Sequence, residues 1–154
     1  MKKRVHLLYR NSIIPFAPLD RKYLLRTYKT GDEKNYLYLM KRAGFKNFVD
    51  VTRLLEMSLP QGIFVVTYQG KIVATATAAH KPTKNHPFGG EVSWVATDPE
   101  HRNHGLGRKV TVSAINRLID AGYEHIYIIT DNWRTSSLRL YKKLGFKIMR
   151  GIYE

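Results

Sequence analysis

Two glycines one residue apart, Gly105 and Gly107, follow Arg102 and open directly into an amphipathic pattern. The run Arg102-Asn103-His104-Gly105-Leu106-Gly107-Arg108-Lys109 has the chemistry of a phosphate cradle. The first N–H groups of a helix have no partner within it and carry the positive end of its dipole. A turn without Cβ atoms lets a phosphate reach them. After the turn, apolar residues recur at Leu106, Val110, Ala114, Ile115 and Leu118, the one-sided stripe of a helix packed on a core. Gly122 then ends it as a C′ glycine would. A dinucleotide fingerprint needs a third glycine where this chain has Val110, and no Gly-Lys-Ser/Thr follows to make a P-loop.

The other reactive side chains narrow the chemistry. The chain has no cysteine, which excludes disulfides, thiolate metal sites and a thiol nucleophile. Acyl transfer would therefore go directly or through another nucleophile. His6, His80, His86, His101, His104 and His125 form no His-x-x-x-His pair or carboxylate cluster, so no metal is expected. The net charge is +14: residues 1–50 hold 12 Lys/Arg against 4 Asp/Glu, residues 51–100 hold 4 against 4, and residues 101–154 hold 10 against 4. A field of this sign draws polyanions, whether nucleic acid, acidic membrane surfaces or a polyphosphorylated cofactor.

The elements that must position the glycine turn follow from periodicity and punctuation. The length of 154 residues fits one domain, 1–154. No apolar run reaches the roughly 18 residues of a membrane span, and Met1-Lys2-Lys3-Arg4 precedes only a short one. A soluble, cytoplasmic protein without membrane insertion is the expectation. The segment up to about Asp20, with Pro15 and Pro18, reads as an edge strand or extended arm. Lys22 to Tyr28 reads as a strand, and a helix carrying Tyr36, Leu37, Leu39 and Met40 closes at Gly44. A second helix is predicted over Val49 to Met57, stopping before Pro60. Ile63 to Tyr68 and Ile72 to Ala79 form a hairpin about Gln69-Gly70-Lys71, and Glu91 to Thr97 follows as a third run. Beyond the glycine turn and its helix come a strand at Glu124 to Thr130, a helix at Thr135 to Leu144, and a closing strand at Phe146 to Tyr153. Hairpins leading into a β-turn-helix-β unit give an α+β (mixed α/β) domain.

These residues resemble the Gcn5-related N-acetyltransferase superfamily, whose acetyl-CoA signature is Gln/Arg-x-x-Gly-x-Gly/Ala at a strand-to-helix turn. Arg102-x-x-Gly105-x-Gly107 matches it, Trp94 to His101 looks like the fourth strand and the turn after it, and Leu140-Tyr141-Lys142-Lys143-Leu144-Gly145-Phe146 is similar to the family's Leu-Tyr-x-Lys-x-Gly-Phe. Residues 62 to 149 are covered. The resemblance implies a mostly antiparallel sheet splayed between strands 4 and 5, here Trp94 to Thr97 and Ile126 to Thr130, with helices on both faces. It implies acetyl-CoA as acetyl donor, with the N–H groups of Asn103, His104, Gly105, Leu106, Gly107 and Arg108 on the pyrophosphate beside Arg102. Val95, Ala96 and Thr97 would pair with the pantetheine arm like an added strand, and the Val95 N–H would polarise the thioester carbonyl. Tyr141 matches the tyrosine that protonates the departing thiolate, a role suited to a phenol whose ordinary pKa lies above a thiol's. The family's asparagine seven residues before that tyrosine is here Arg134, within Asp131-Asn132-Trp133-Arg134. Asn132, Arg134 and Ser137 are the implied contacts to the pantetheine end of the donor.

An amine acceptor arrives protonated and attacks only when neutral. By resemblance Glu91 is a candidate base, directly or through water; His80, whose ordinary pKa is near neutrality, competes, and water chains could serve without either. Alternation places Glu91, Ser93 and Val95 on one face, opposite Val92 and Trp94. The function implied is acetyl-CoA-dependent N-acetyl transfer to an amine by direct attack in a ternary complex. A non-catalytic CoA-binding or nucleic-acid-binding module on the same fold is the alternative raised by the charge. The sequence has no basic base-reading helix or aromatic RNP-type strand, so nucleic acid is not the expected partner; a homodimer stays open. The acceptor is unnamed, since the segments expected to select it, Lys34 to Met57, Lys81 to Gly90 and the C-terminal strand, carry no readable motif.

Overall fold

The computed structural model describes residues 3–9, 14, 15, 18–48 and 50–149. Their elements run β1 (Arg4–Tyr9), β2 (Tyr23–Thr27), α1 (Glu33–Arg42), α2 (Thr52–Met57), β3 (Ser58–Tyr68), β4 (Lys71–His80), β5 (Gly89–Thr97), a 3-10 turn (Pro99–His101), α3 (Leu106–Asp120), β6 (His125–Asp131), α4 (Thr135–Leu144) and β7 (Lys147–Ile148). The strands form one sheet in the order β2-β3-β4-β5-β6-β1-β7. Every neighbouring pair is antiparallel except β5 with β6.

Both faces of the sheet are covered. Strand β4 is buried at every position between its two ends, as a strand between two layers must be. On one face the stripe Leu106, Val110, Ala114, Ile115 and Leu118 of α3 joins Ala74, Ala76 and Ala78 in a single core. Alanines under the helix leave room for its larger side chains. Each buried Leu, Ile or Val of that stripe contributes about 1.5–3 kcal/mol by leaving water. On the other face Tyr36, Leu39 and Met40 of α1 and Leu54 of α2 pack with Ile63, Val65 and Ile72.

The strand β5 is paired at one end and open at the other. Its parallel ladder with β6 runs from Gly89↔His125 to Glu91↔Tyr127. Glycine is required at that closed end, since a Cβ on Gly89 would lie 2.4 Å from Tyr127 Cε1. On its other side β5 pairs with β4, but the register slips between Thr75 and Thr77, so Trp94 and Val95 both oppose Ala76. Trp94 takes φ +51°, which makes this a β-bulge. The bulge bends β5 away from β6 and splays the sheet over Val92–Thr97.

The bulge also corrects the alternation expected for this strand. Val92 belongs to the α3-side core and Val95 packs against that same core, while Trp94 lies on Phe45 and Phe48 of the other layer. Val95 therefore does not share a face with Glu91 and Ser93, because the extra residue reverses the alternation. Two further readings change. Strand β1 is not at an edge: it lies between β6 and β7, aligned with β6 over six residues. Strand β3 begins at Ser58, directly after α2, because an irregularity between Ser58 and Ile63 absorbs Pro60 and the positive-φ Gln61. The predicted closing strand is seen as Lys147–Ile148, and its remainder from 150 onward lies outside the described residues.

Candidate active site

The splay opens onto a cavity of about 650 Å³. Its first wall is the free edge of β5, with Val95, Ala96 and Thr97. Thr97 and Ala96 pair with Ala74 and Thr75 on the β4 side, while the ladder with β6 has already ended. A strand edge left in this way keeps N–H and C=O groups for an extended ligand.

The floor is the glycine turn, with Arg102, Asn103, Gly105, Leu106, Gly107 and Arg108. Gly105 is the N-cap of α3 in the left-handed region at φ +73°, and no side chain caps the helix. A Cβ at Gly107 would stand 3.5 Å from Thr97 Oγ1 and 3.7 Å from Leu140 Cδ2, two residues of opposite walls. The absence of that methyl keeps the gap over the helix N-terminus open. The turn is held from behind: Asp98 accepts the Glu100 N–H at 2.9 Å and both Nε and Nη2 of Arg42 at 2.8 and 3.0 Å. The Arg42 guanidinium keeps the Asp98 carboxyl below the usual carboxylate range.

The second wall is the start of α4, with Arg134, Thr135, Ser137 and Tyr141. This helix also begins without a side-chain cap and without an acidic residue in its first turn. Two positive helix ends thus converge on one cavity. Tyr141 is buried, at 3% exposure. Burial pushes its phenol well above an ordinary tyrosine's pKa, and the Ser137 hydroxyl and Arg134 charge pull it partly back. It is held as a neutral O–H donor.

Four predicted residues lie elsewhere. His104 lines a neighbouring hollow of about 60 Å³ with Pro18, Leu19 and Arg108. Asn132 uses its backbone N–H on Lys3 O at 2.8 Å, tying the end of β6 to the start of β1. Glu91 sits in the closed, paired end of the splay, its Oε2 3.6 Å from Lys81 Nζ. His80 is bound through Nδ1 to the Tyr123 hydroxyl at 2.5 Å. Neither base candidate is on the cavity wall.

Several wall residues escaped the sequence reading, among them Phe45, His101 and Trp133. The Arg134 guanidinium carbon lies 4.2 Å from the Phe45 ring centre and 4.6 Å from that of Trp133. Gly44-Phe45 after α1 and Trp133 beside Arg134 were the available signals, but their meeting is visible only in three dimensions.

Comparison with known proteins supplies the family. The acetyltransferase (GNAT) family matches residues 24–146. The chain belongs to that family. The GNAT match takes in α1 and α2, within the Lys34–Met57 segment that carried no readable motif, and members of the family use acetyl-CoA as acetyl donor. A mycothiol acetyltransferase of Thermobispora bispora is 32% identical over 146 residues, which is 86% of this chain and 49% of that protein. The chain spans about half the length of the curated relatives it matches, 49%, 48% and 48% for three of them. Among solved structures, a GCN5-related N-acetyltransferase from Sphaerobacter thermophilus superposes with TM-score 0.77 at 15% identity, covering 96% of this chain and 49% of that one. The ribosomal-protein-S18-alanine N-acetyltransferase of Escherichia coli superposes with TM-score 0.65 at 20% identity, covering 81% and 77%. These two likenesses carry the GNAT fold.

Proposed function

We propose that this chain is an N-acetyltransferase that moves the acetyl group of acetyl-CoA to an amine by direct attack within a ternary complex. The observation that carries the reading is the meeting of the free Val95–Thr97 edge, the Gly105–Gly107 turn and Tyr141 on one cavity. The pyrophosphate lies over the N-terminus of α3, and the pantetheine arm runs along β5. The Val95 N–H stabilises the oxyanion as the amine nitrogen bonds to the acetyl carbon. The C–S bond then breaks and the sulfur takes the Tyr141 proton. The chain has no cysteine to carry an acyl intermediate. The amine's own proton leaves through water, since Glu91 and His80 stand off the cavity wall.

We read residues 1–154 as one domain and the positive field as serving the polyphosphorylated donor rather than nucleic acid. Among the described residues no helix is long and apolar enough to cross a membrane; a cytoplasmic location and a homodimer are expectations for fractionation and sedimentation to check. Acceptors drawn from the relatives' names, a mycothiol-type amine and an alanine N-terminus, head the panel to assay. Calorimetric titration of acetyl-CoA, then thiol release with that panel, tests the reading. Failure to bind acetyl-CoA at high micromolar concentration would falsify it.

A further inference from the structure

We propose that His86, hydrogen-bonded between His6 and His125, is an acid-released latch on the loop of residues 81–88, which joins β4 to β5. The latch stands whether or not the chain transfers acetyl groups. Within 81–88, His86 alone is buried, at 0% exposure, while Phe88 is 83% exposed. Burying an imidazole and leaving a phenyl ring in water reverses the ordinary preference. The loop is held instead by the polar contacts and ring stack of its histidine. His86 Nε2 is 2.9 Å from His6 Nδ1 on β1, and His86 Nδ1 is 2.9 Å from His125 Nε2 on β6. The His86 ring stacks flat on Tyr127 at 3.7 Å. The Tyr127 hydroxyl in turn donates to Lys81 O at 2.5 Å, at the start of the loop. His86 O accepts the N–H groups of Thr83 and Gly89 at 2.8 and 3.0 Å, so the backbone of the loop is folded about this one residue.

The number of protons this chain of rings can hold is fixed by its geometry. Each of the two bridges holds one proton, and each outer nitrogen, His6 Nε2 and His125 Nδ1, holds at most one more. Three neutral imidazoles already bring one proton apiece, so the latched trio has room for a single extra one. That first proton keeps both bridges, with His86 donating to both neighbours. A second would set two N–H groups face to face across one bridge and break it. The other titratable groups around the latch are Tyr127, Glu91 opposite it in the β5–β6 ladder, and Lys81, whose Nζ lies 3.6 Å from Glu91 Oε2. The carboxylate there already faces a cation, so it offers little to a second buried charge. Once the loop lifts, the three imidazoles are in water and titrate near the ordinary histidine pKa of about 6.5. The latched state is therefore fully favoured a unit or more above that value and loses ground as pH falls. Well below it the released loop carries three added protons against at most one, so the opening equilibrium rises at least about 100-fold per unit fall in pH. The Val95–Thr97 edge lies beyond the bulge, where Ala96 and Thr97 are paired with β4, and it stays in place.

Hydrogen exchange of the full chain, followed by mass spectrometry from about pH 8 down to about pH 4.5 and corrected for the intrinsic pH dependence of exchange, tests the latch. Protection of the peptide covering 81–89 should be flat above about pH 7.5 and then fall with the steep slope above, while peptides from β3 and β4 keep theirs. His125→Gln, at a half-buried position, keeps an amide that can bridge to His86 but removes one titrating group, so the slope should lose a factor of about ten per pH unit. His86→Phe keeps a ring to stack on Tyr127 and should make protection of the loop independent of pH. Wild-type protection of 81–89 that is indifferent to pH, or lost only together with β3 and β4, overturns the proposal. So does a slope unchanged in His125→Gln, a comparison that decides the matter even if His86→Phe does not fold. Proton NMR of the histidine Cε1–H signals gives a second reading: one proton should be taken up with the loop still protected. Three independent titrations with the loop protected throughout contradict the latch.

Discussion

Replacing Gly107 by alanine separates the binding role of the glycine turn from its folding role. The added Cβ would stand 3.5 Å from Thr97 Oγ1 and 3.7 Å from Leu140 Cδ2, ordinary van der Waals distances, so the fold accommodates it. Gly107 is within the first turn of α3, where alanine stabilises a helix by up to about 1 kcal/mol relative to glycine. The melting temperature should hold or rise. The methyl nevertheless occupies the gap between the walls over the N-terminal N–H groups, where the pyrophosphate is proposed to lie. Losing one hydrogen bond to a charged group costs about 1.5–3 kcal/mol, or about 10- to 150-fold in Kd for acetyl-CoA. Gly105→Ala supplies the contrast. Nothing lies within 4 Å of its added Cβ, but its φ of +73° costs an alanine about 1–2 kcal/mol, so stability falls. Titration calorimetry and thermal unfolding of both variants decide the matter. A Gly107→Ala protein with wild-type stability and a Kd within twofold of wild type refutes the phosphate placement.

Three more outcomes follow from the same geometry. Tyr141→Phe should lower kcat by about 100-fold or more while leaving acetyl-CoA affinity nearly unchanged; because burial raises the phenol's pKa, the wild-type kcat should show no alkaline fall below about pH 10, and a descending limb near pH 8 withdraws the acid role. Glu91→Gln should leave turnover of the amine acceptor within about threefold, since direct proton transfer needs hydrogen-bond reach; a loss as large as that of Tyr141→Phe would return the base role to it. The Asp98 carboxyl is held below its ordinary range by Arg42, so its contribution is complete above the ordinary carboxylate pKa of about 3.9 and is lost as pH falls through the lower folded value. Unfolding curves of wild type and Arg42→Ala should therefore differ at pH 7 and draw together as acid protonates Asp98, and a gap independent of pH contradicts the pairing.

Local signals carried far where the physics is local. The stripe Leu106, Val110, Ala114, Ile115 and Leu118 and the closing Gly122 place α3, which runs Leu106–Asp120, because helical burial repeats within a few residues. Helix α4 spans Thr135–Leu144 as its pattern predicts. What escaped depends on partners far along the chain. Strand β1 is interior because β6, more than a hundred residues later, aligns with it, and two prolines beyond its end only mimic an edge signal. The run alternates from Glu91 to Trp94 and then breaks into consecutive apolar residues at Trp94-Val95-Ala96, but that the break is a bulge is decided by the register against β4. Val95, Ala96 and Thr97 line the cavity, but the face of Val95 differs from the alternation for that reason. Phe45 meets Arg134 and Trp133 from nearly ninety residues away, so no local pattern announces the contact.

The site follows from one strand being asked to satisfy two geometries. At Gly89–Glu91 the backbone of β5 pairs on both sides, with β4 and with β6, and the missing side chain of Gly89 lets the Tyr127 ring close that end. From the bulge onward only the β4 side is paired, so the other edge carries polar groups that a folded chain does not normally leave unmatched. The helices that follow β5 and β6 both start beside that edge without side-chain caps, which adds unmatched N–H groups at two positive dipole ends. A ligand that satisfies all three at once needs an extended amide-bearing arm attached to a phosphate group. That combination describes the donor side of the cavity. Phe45, Trp133 and Arg134 line the same cavity away from the glycine turn. If the strand edge is what holds the pantetheine arm, Thr97→Pro, which bends the edge without adding charge, should weaken acetyl-CoA more than an acetyl-free phosphate ligand such as adenosine 3′,5′-bisphosphate. Equal weakening of both would assign the pantetheine arm to another surface.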